Sequence, residues 1–472
     1  MKNQKTKIVC TIGPATRSAA TIRALVRAGM DVARLNFSHG TPDEHAEVLE
    51  RARTASKRLG TPVAVLQDLS GPKVRLGEVR DGSCVLKRRA TVVLTPDEVI
   101  GDETTLSVSY KHLAKEVRPR EPVLINDGAV RLSVVGTDGN RVICRVVAGG
   151  TVASRKGVNL PRTRLSVGSL TAKDRANIAW GLKHDVDFFA LSFVRTAEDV
   201  KALRAIVAKE NKKTPIIAKI EKREALRNLD EIVRAADGVM VARGDLGVEI
   251  NLADLPAAQK RIIAACNRVG KPVITATQML ESMVTNARPT RAEVTDVANA
   301  IGDGTDAVML SAETAVGAHA KAAVEMMAAI AERTERRFAP IVDEPITTGA
   351  DEDVVADGLC HAVAVLARTA KLDAIVACTT SGATARFIAR YRPRLPIFAV
   401  SPDPATVREL CLSWGVQPIE TVRYKLAETM VEKTMELLRA KRCIASGDRI
   451  ALLAGLPVAA EGVTNLLRII DV

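Results

Sequence analysis

Along most of the chain, short apolar runs alternate with stretches whose apolar residues recur at helical spacing, and the apolar runs end in charged or hydroxyl-bearing residues. Runs at 7–12, 31–35, 62–66, 187–191, 215–220, 238–242, 272–276 and 307–310 read as strands. Helical spacing at 21–28, 44–59, 198–210, 225–236, 257–269, 291–300 and 319–337 falls between or after them. Gly29 and Gly60 close the first two helices, and Thr171 caps a further one at 173–183. Strand, helix, strand in succession makes consecutive strands parallel neighbours. Eight such units, with polar residues at the carboxyl ends of the strands, predict an α/β chain whose main body is a closed (β/α)8 TIM barrel with its site at that face.

The alternation breaks after the third strand. From Gly71 to about Val167 the text turns to β-branched runs, with turn signals at Asp127-Gly128 and Asp138-Gly139-Asn140, and helical spacing disappears. A small β domain inserted in a loop is expected there, over 71–167, with hinges at Ser70-Gly71-Pro72 and at 159–164 around Pro161. The barrel then comprises 1–70 and 168–339. A stretch at 340–353 has the composition of a linker. Beyond it, 354–472 reads as a C-terminal open α/β domain. Its helices are at 355–370 and 425–441, and its mostly parallel strands at 374–378, 397–400, 416–419 and 449–454.

Composition narrows the setting. No apolar run is long enough to cross a bilayer, and the amino-terminal stretch moves directly into a strand without the apolar core of a signal peptide, so no membrane partner and a cytoplasmic location are expected. Eight scattered cysteines with no CxxC pair read as reduced thiols. The net charge of +13 raises nucleic acid as a partner, but aromatic residues are only 3 % and no basic block stands apart from the folded pattern. A basic protein that handles phosphorylated or carboxylated small molecules is the favoured reading.

The chemistry gathers on the adjacent fifth and sixth strands. One ends in Lys219 and Glu221, the other in Arg243, Gly244 and Asp245. Two hard carboxylates on one sheet edge suit a magnesium ion that keeps positions open for water and an oxyanionic substrate. Every strand but the first adds polar groups: Arg34, Asn36 and Ser38, then Asp68, Ser192, Thr277, and Ser311 with Glu313. Lysine, arginine and magnesium together supply the positioning and charge stabilisation that phosphoryl transfer needs. No Walker A loop is present. In the C-terminal part, TTSGATAR (Thr379, Thr380, Ser381, Gly382, Ala383, Thr384, Ala385, Arg386) follows a strand and opens a helix, an arrangement of hydroxyls and N–H groups suited to a phosphate.

Seven motifs in series carry a resemblance. They are VARLNFSHG (32–40), DLSGPKVR (68–75), AKIEKREAL (218–226), VMVARGDLGVE (239–249), PVITATQMLESM (272–283), PTRAEVTDVANA (289–300) and VMLSAETAVG (308–317). Their order and nearly full coverage resemble the pyruvate kinase family. The resemblance implies transfer of the phosphoryl group of phosphoenolpyruvate to ADP, giving pyruvate and ATP as the last step of glycolysis. It implies that Glu221 and Asp245 bind magnesium or manganese. Lys219 is then the group that stabilises the moving phosphoryl and the enolate oxygen, and Arg34 holds the phosphoryl group. Gly244 and Thr277 hold the substrate carboxylate, and Thr277 and Ser311 lie on a proton relay. Asn36, Phe37, Ser38, His39, Arg75 and Lys156 match contacts to the nucleotide. The inserted segment would be a β-barrel lid over the site. The 379–384 loop would take a phosphorylated allosteric effector, and the assembly would be a homotetramer.

One departure stands out. Potassium-activated members carry glutamate where this chain has Lys73, and threonine and lysine where it has Leu69 and Ser70. Asn36, Ser38 and Asp68 are kept. A tethered ammonium near Asp68 would replace the bound cation, so a potassium-independent type is expected. The competing reading is a magnesium-dependent carbon–carbon lyase acting on oxo acids, which would have no need for ADP.

Overall fold

The computed structural model describes residues 4–163, 165–337, 351–458 and 463–472. Arg164 of the second hinge and residues 340–350 of the linker lie outside the described residues.

Eight strands, all parallel, close into a barrel: Lys7–Thr11, Val32–Asn36, Ala64–Asp68, Phe188–Leu191, Ile216–Ile220, Gly238–Ala242, Val273–Ala276 and Ala307–Leu310. Strands buried on both faces need continuous apolar runs, which is what these segments supply. Side chains on alternate faces divide the core. Val9, Val32, Leu66, Phe188, Ile217, Met240, Ile274 and Met309 fill the barrel interior, while Ile8, Leu35, Val65, Leu191 and Ile216 pack outward against the helices. Local chemistry sets the helix ends. Thr41 with Glu44, Thr171 with Asp174 and Thr290 with Glu293 form reciprocal capping boxes, and Gly60 in the left-handed region (φ 60°) ends the helix Pro42–Leu59.

The amino ends of the strands carry a repeated device. Asp31, Asp187, Asp237 and Asp306 immediately precede the second, fourth, sixth and eighth strands. Each carboxylate accepts an N–H from the first or second residue of the strand before it: Ile8 (2.9 Å), Val65 (2.6 Å), Ile216 (2.8 Å) and Val273 (3.0 Å). The C-terminal domain meets this underside. Its Cys411 and Leu412 join the barrel's interior cluster, Arg408 Nε pairs with Asp187 (2.6 Å), and Arg392 Nη1 pairs with Asp306 (3.0 Å).

Where the strand pattern suggests one closed small barrel after the third strand, the ladders divide instead into a six-stranded and a two-stranded sheet. The isolated bridges Arg75–Gly157 and Leu76–Val108 tie the segment before the smaller sheet to residues flanking the larger one, and a single apolar cluster spans both, so side-chain packing rather than a continuous ladder joins the sheets. The C-terminal sheet has five strands, four parallel and a last one, Leu466–Asp471, antiparallel to Arg449–Ala454. That last strand departs from the sequence reading. So do the break of the 225–236 helix at Asn228 and the start of the helix Asp351–Thr369 inside the expected linker. A short helix, Arg243–Glu249, follows the sixth strand directly, so Asp245 sits in a helical first turn rather than on the strand end.

Candidate active site

A buried charge network sits at the carboxyl mouth. Lys219 Nζ reaches Ser192 Oγ (2.7 Å), Glu221 Oε1 (2.8 Å) and Asp68 Oδ1 (3.1 Å). Arg34 Nε donates to Asp68 Oδ2 (2.7 Å) and Nη1 to Thr11 Oγ1 (2.8 Å). Asp68, Lys219 and Glu221 are all under a tenth exposed. Burial pushes Asp68 up, but Lys219 and Arg34 together outweigh it and hold the carboxyl below its ordinary value. Burial disfavours the ammonium of Lys219, yet Asp68 and Glu221 raise it above its ordinary value, so it is a fixed cation. Burial also raises Glu221; Lys219 opposes the shift, and the carboxylate of Asp245 reinforces it.

The seventh strand ends under backbone strain. Thr277 and Gln278 both lie in the left-handed region (φ 70° and 54°), which a β-branched residue rarely adopts. Arg243 holds them there. Its guanidinium donates to the carbonyls of Thr277 (2.7 Å) and Gln278 (3.2 Å) and pairs with Asp296 (2.7 Å). In this pose Thr277 Oγ1 accepts the Gly244 N–H (2.8 Å) and donates to Ala276 O (2.6 Å). Ser311 begins the turn after the eighth strand. Its N–H is held by Glu313 Oε2 (2.7 Å), and its buried Oγ has no hydrogen-bond partner among the described residues.

Asp245 is half-buried and, among the described residues, has neither a hydrogen-bond nor an ion-pair partner. Glu221 lies close enough for Asp245 to raise its pKa, and its second oxygen accepts the Phe193 N–H (2.9 Å). Among the described residues no cluster of three or more His, Cys, Asp or Glu could enclose a metal. Two carboxylates, one with spare acceptor capacity, fit a divalent ion that keeps water and substrate among its ligands.

Above the mouth, a cavity of about 380 Å³ lies between the inserted domain and the barrel. Lys73, Arg75 and Lys156 line it together with Asp245. Of the other sequence-predicted residues, Asn36, Ser38 and His39 form a turn after the second strand outside this cavity. The Asn36 Oδ1 accepts the Ser38 N–H (3.2 Å). Burial lowers the His39 pKa, and Lys73 and Arg75 lower it further. Two expectations need correction. The ring of Phe37 does not face a ligand: it is 4 % exposed and stacks on His45 at 4.2 Å, because an apolar ring here closes the core beside Trp180. Lys73 makes no contact with Asp68 either; it is exposed on the hinge, and the charge of Asp68 is already balanced by Arg34 and Lys219.

In the C-terminal domain, Thr379, Thr380, Ser381 and Thr384 line a small pocket of about 70 Å³. Gly382 adopts φ 80° at the start of the helix Ala383–Arg390, and its N–H donates to Thr379 Oγ1 (2.9 Å). Thr384 Oγ1 is shared with Thr464 (2.6 Å). Arg386, which the sequence pattern leaves without a role, closes over the loop by donating to Ser381 O (2.9 Å).

A fixed lysine and arginine beside two carboxylates, at the mouth of a parallel barrel and beneath a basic cavity, suit an enzyme acting on an anionic substrate; similarity to known proteins makes the class a phosphotransferase. Residues 3–324 match the family model described as the pyruvate kinase barrel domain, and residues 357–470 match that of its alpha/beta domain. The chain is 43 % identical over 469 residues to a pyruvate kinase of Geobacillus stearothermophilus, covering 99 % of this chain and 80 % of that protein. It is 39 % identical to one of Clostridium acetobutylicum, covering 99 % of both. A crystal structure of a pyruvate kinase from Cryptosporidium parvum superposes with a TM-score of 0.93 at 36 % identity, covering 99 % of this chain and 96 % of that one. The chain belongs to the pyruvate kinase family.

Proposed function

We propose that this chain transfers the phosphoryl group of phosphoenolpyruvate to ADP, giving pyruvate and ATP. The observation that carries the reading is the buried ammonium of Lys219, fixed between Asp68, Ser192 and Glu221 beside an unpartnered Asp245. Glu221 and Asp245 would hold a divalent ion, magnesium or manganese, which supplies charge neutralisation at the phosphoryl and enolate oxygens. Arg34 and Lys219 orient the phosphoryl group and counter the charge that spreads over its oxygens as the bond to the enol oxygen breaks and the bond to the ADP β-phosphate forms. The Gly244 N–H and Thr277 hydroxyl bind the substrate carboxylate. The enolate left behind takes a proton at carbon, and the free Ser311 hydroxyl together with Thr277 is suited to relay it.

The inserted domain acts as a lid that excludes water, bringing Arg75 and Lys156 to the nucleotide beside Asn36, Ser38 and His39. The enzyme is potassium-independent. Lys73, a tethered positive charge lining the cavity above the mouth where potassium-activated members carry glutamate, supports this. Thr379 to Thr384 bind a phosphorylated activator, the working form is a homotetramer, and the setting is cytoplasmic. Among the described residues no helix is long and apolar enough to cross a membrane.

ADP-dependent pyruvate formation with magnesium is the test, run in potassium-free buffer and again with potassium added. Full activity without potassium is expected. Activity only with potassium would remove the potassium-independent type and keep the reaction. Pyruvate release without ADP would favour the lyase reading. Loss of activation by sugar phosphates or AMP on Ser381→Ala would support the effector loop, and sedimentation at working concentration reads the tetramer.

A further inference from the structure

A second cleft, of about 950 Å³, opens between the outer surface of the inserted domain and the segments that follow the fifth and sixth barrel strands. Arg120, Arg131 and Arg162 stand on the inserted-domain wall, and Arg223, Arg227 and Arg261 on the barrel wall. All six are exposed, and among the described residues none of their side chains has an ion-pair or hydrogen-bond partner. Lys260, next to Arg261, by contrast pairs with Asp303. The cleft's acidic lining is Glu249 and Asp254, and Glu249 is already held by Lys222 (2.6 Å).

We propose that this cleft binds a multivalent phosphate anion and that the ligand bridges the two walls. Three like charges on each side repel across the gap, and a single carboxylate would neutralise only one of them. A guanidinium fork matches phosphate oxygens two at a time, and several phosphates on one small molecule can engage both walls together. Among the described residues the cleft has no aromatic side chain on which bases could stack, which disfavours a single-stranded nucleic acid. Arg162, Arg223 and Arg227 also line the cavity above the barrel mouth, so a bound anion would hold the inserted domain against the barrel beside Asp245. The inference concerns binding and does not rest on the reaction proposed above.

The probe is sodium tripolyphosphate, titrated calorimetrically into the full chain without divalent metal at moderate salt. The wild type is expected to bind, with affinity falling as salt rises. The Arg131→Ala/Arg261→Ala double variant, whose positions lie outside the cavity above the mouth, is expected to bind about tenfold more weakly. Its thermal midpoint and basal activity should be unchanged. Should the double variant be poorly folded, Arg261→Gln alone is expected to weaken binding by about threefold. No binding by the wild type would overturn the proposal. So would an affinity that survives the double substitution but is lost in Arg75→Ala, which would move the anion to the catalytic cavity. Arginine-dependent binding of an RNA or acidic peptide with no affinity for tripolyphosphate would overturn it in favour of a macromolecular partner.

Discussion

The two ends of the barrel are both ringed by charged residues, yet they use them differently. On the underside, Asp31, Asp187, Asp237 and Asp306 each accept a strand N–H, and the last three also pair with arginines. At the mouth, Asp245 has no partner among the described residues and the buried Ser311 hydroxyl has none. Charge at a strand end is therefore not by itself the mark of a functional site. The aspartate ring of the underside is spent on strand N–H groups and arginines and fastens the barrel to its C-terminal domain, while Asp245 at the mouth keeps its acceptors unused.

The contrast can be broken from either end. The largest effect is expected for Lys219→Met, which removes the ammonium shared by Asp68 and Glu221 and leaves Asp68 to Arg34 alone. Activity should fall by about 10³-fold in steady-state assays. Asp187→Ala attacks the underside. It strips the Val65 N–H, Arg53 and Arg408 of one shared acceptor and should cost about 3 kcal/mol in denaturant unfolding, with an unchanged KM for the fraction that folds. Asp245→Ala is the reverse case: stability should stay within about 0.5 kcal/mol of wild type. The magnesium concentration for half-maximal activity should meanwhile rise by about tenfold or more.

A last test takes the underside's exception. Glu409 is pushed up to about 7 by burial, against the pull of Arg386 and with Asp187, Asp403 and Asp237 adding to the rise. The folded state therefore holds a proton that the unfolded chain releases near its ordinary value. Stability contributed by this group is present at low pH and is lost as pH rises from about 4.5 through about 7, a span worth about 1–3 kcal/mol. The thermal midpoint between pH 5 and 8 should show this slope, and Glu409→Gln should flatten it.

Much of this was legible in the chain. The eight apolar runs and their polar ends located the strands and brought Arg34, Asp68, Lys219 and Glu221 together, because strand periodicity and parallel succession leave little freedom. The helix Arg243–Glu249 was not legible: two glycines in seven residues weaken its propensity, and packing at the strand end supplies what the local sequence lacks. The role of Arg243 was hidden for another reason. Its partners are backbone carbonyls of Thr277 and Gln278 and the side chain of Asp296, far along the chain. Phe37 sat inside a functional motif, and nothing local distinguished a ring in the core from a ring on a ligand. The underside ring leaves its own mark in the sequence, an aspartate directly before every second barrel strand.

The underside and the mouth are also joined by a short, stiff strut. Asp187, gripped from the C-terminal domain by Arg408, opens the strand Phe188–Leu191, and Ser192 at its other end holds Lys219 Nζ at 2.7 Å. A β-strand is already near full extension and cannot stretch to absorb a displacement. A tilt of the C-terminal domain at Arg408 would therefore press on a strand whose far end, at Ser192, holds the buried Lys219 ammonium.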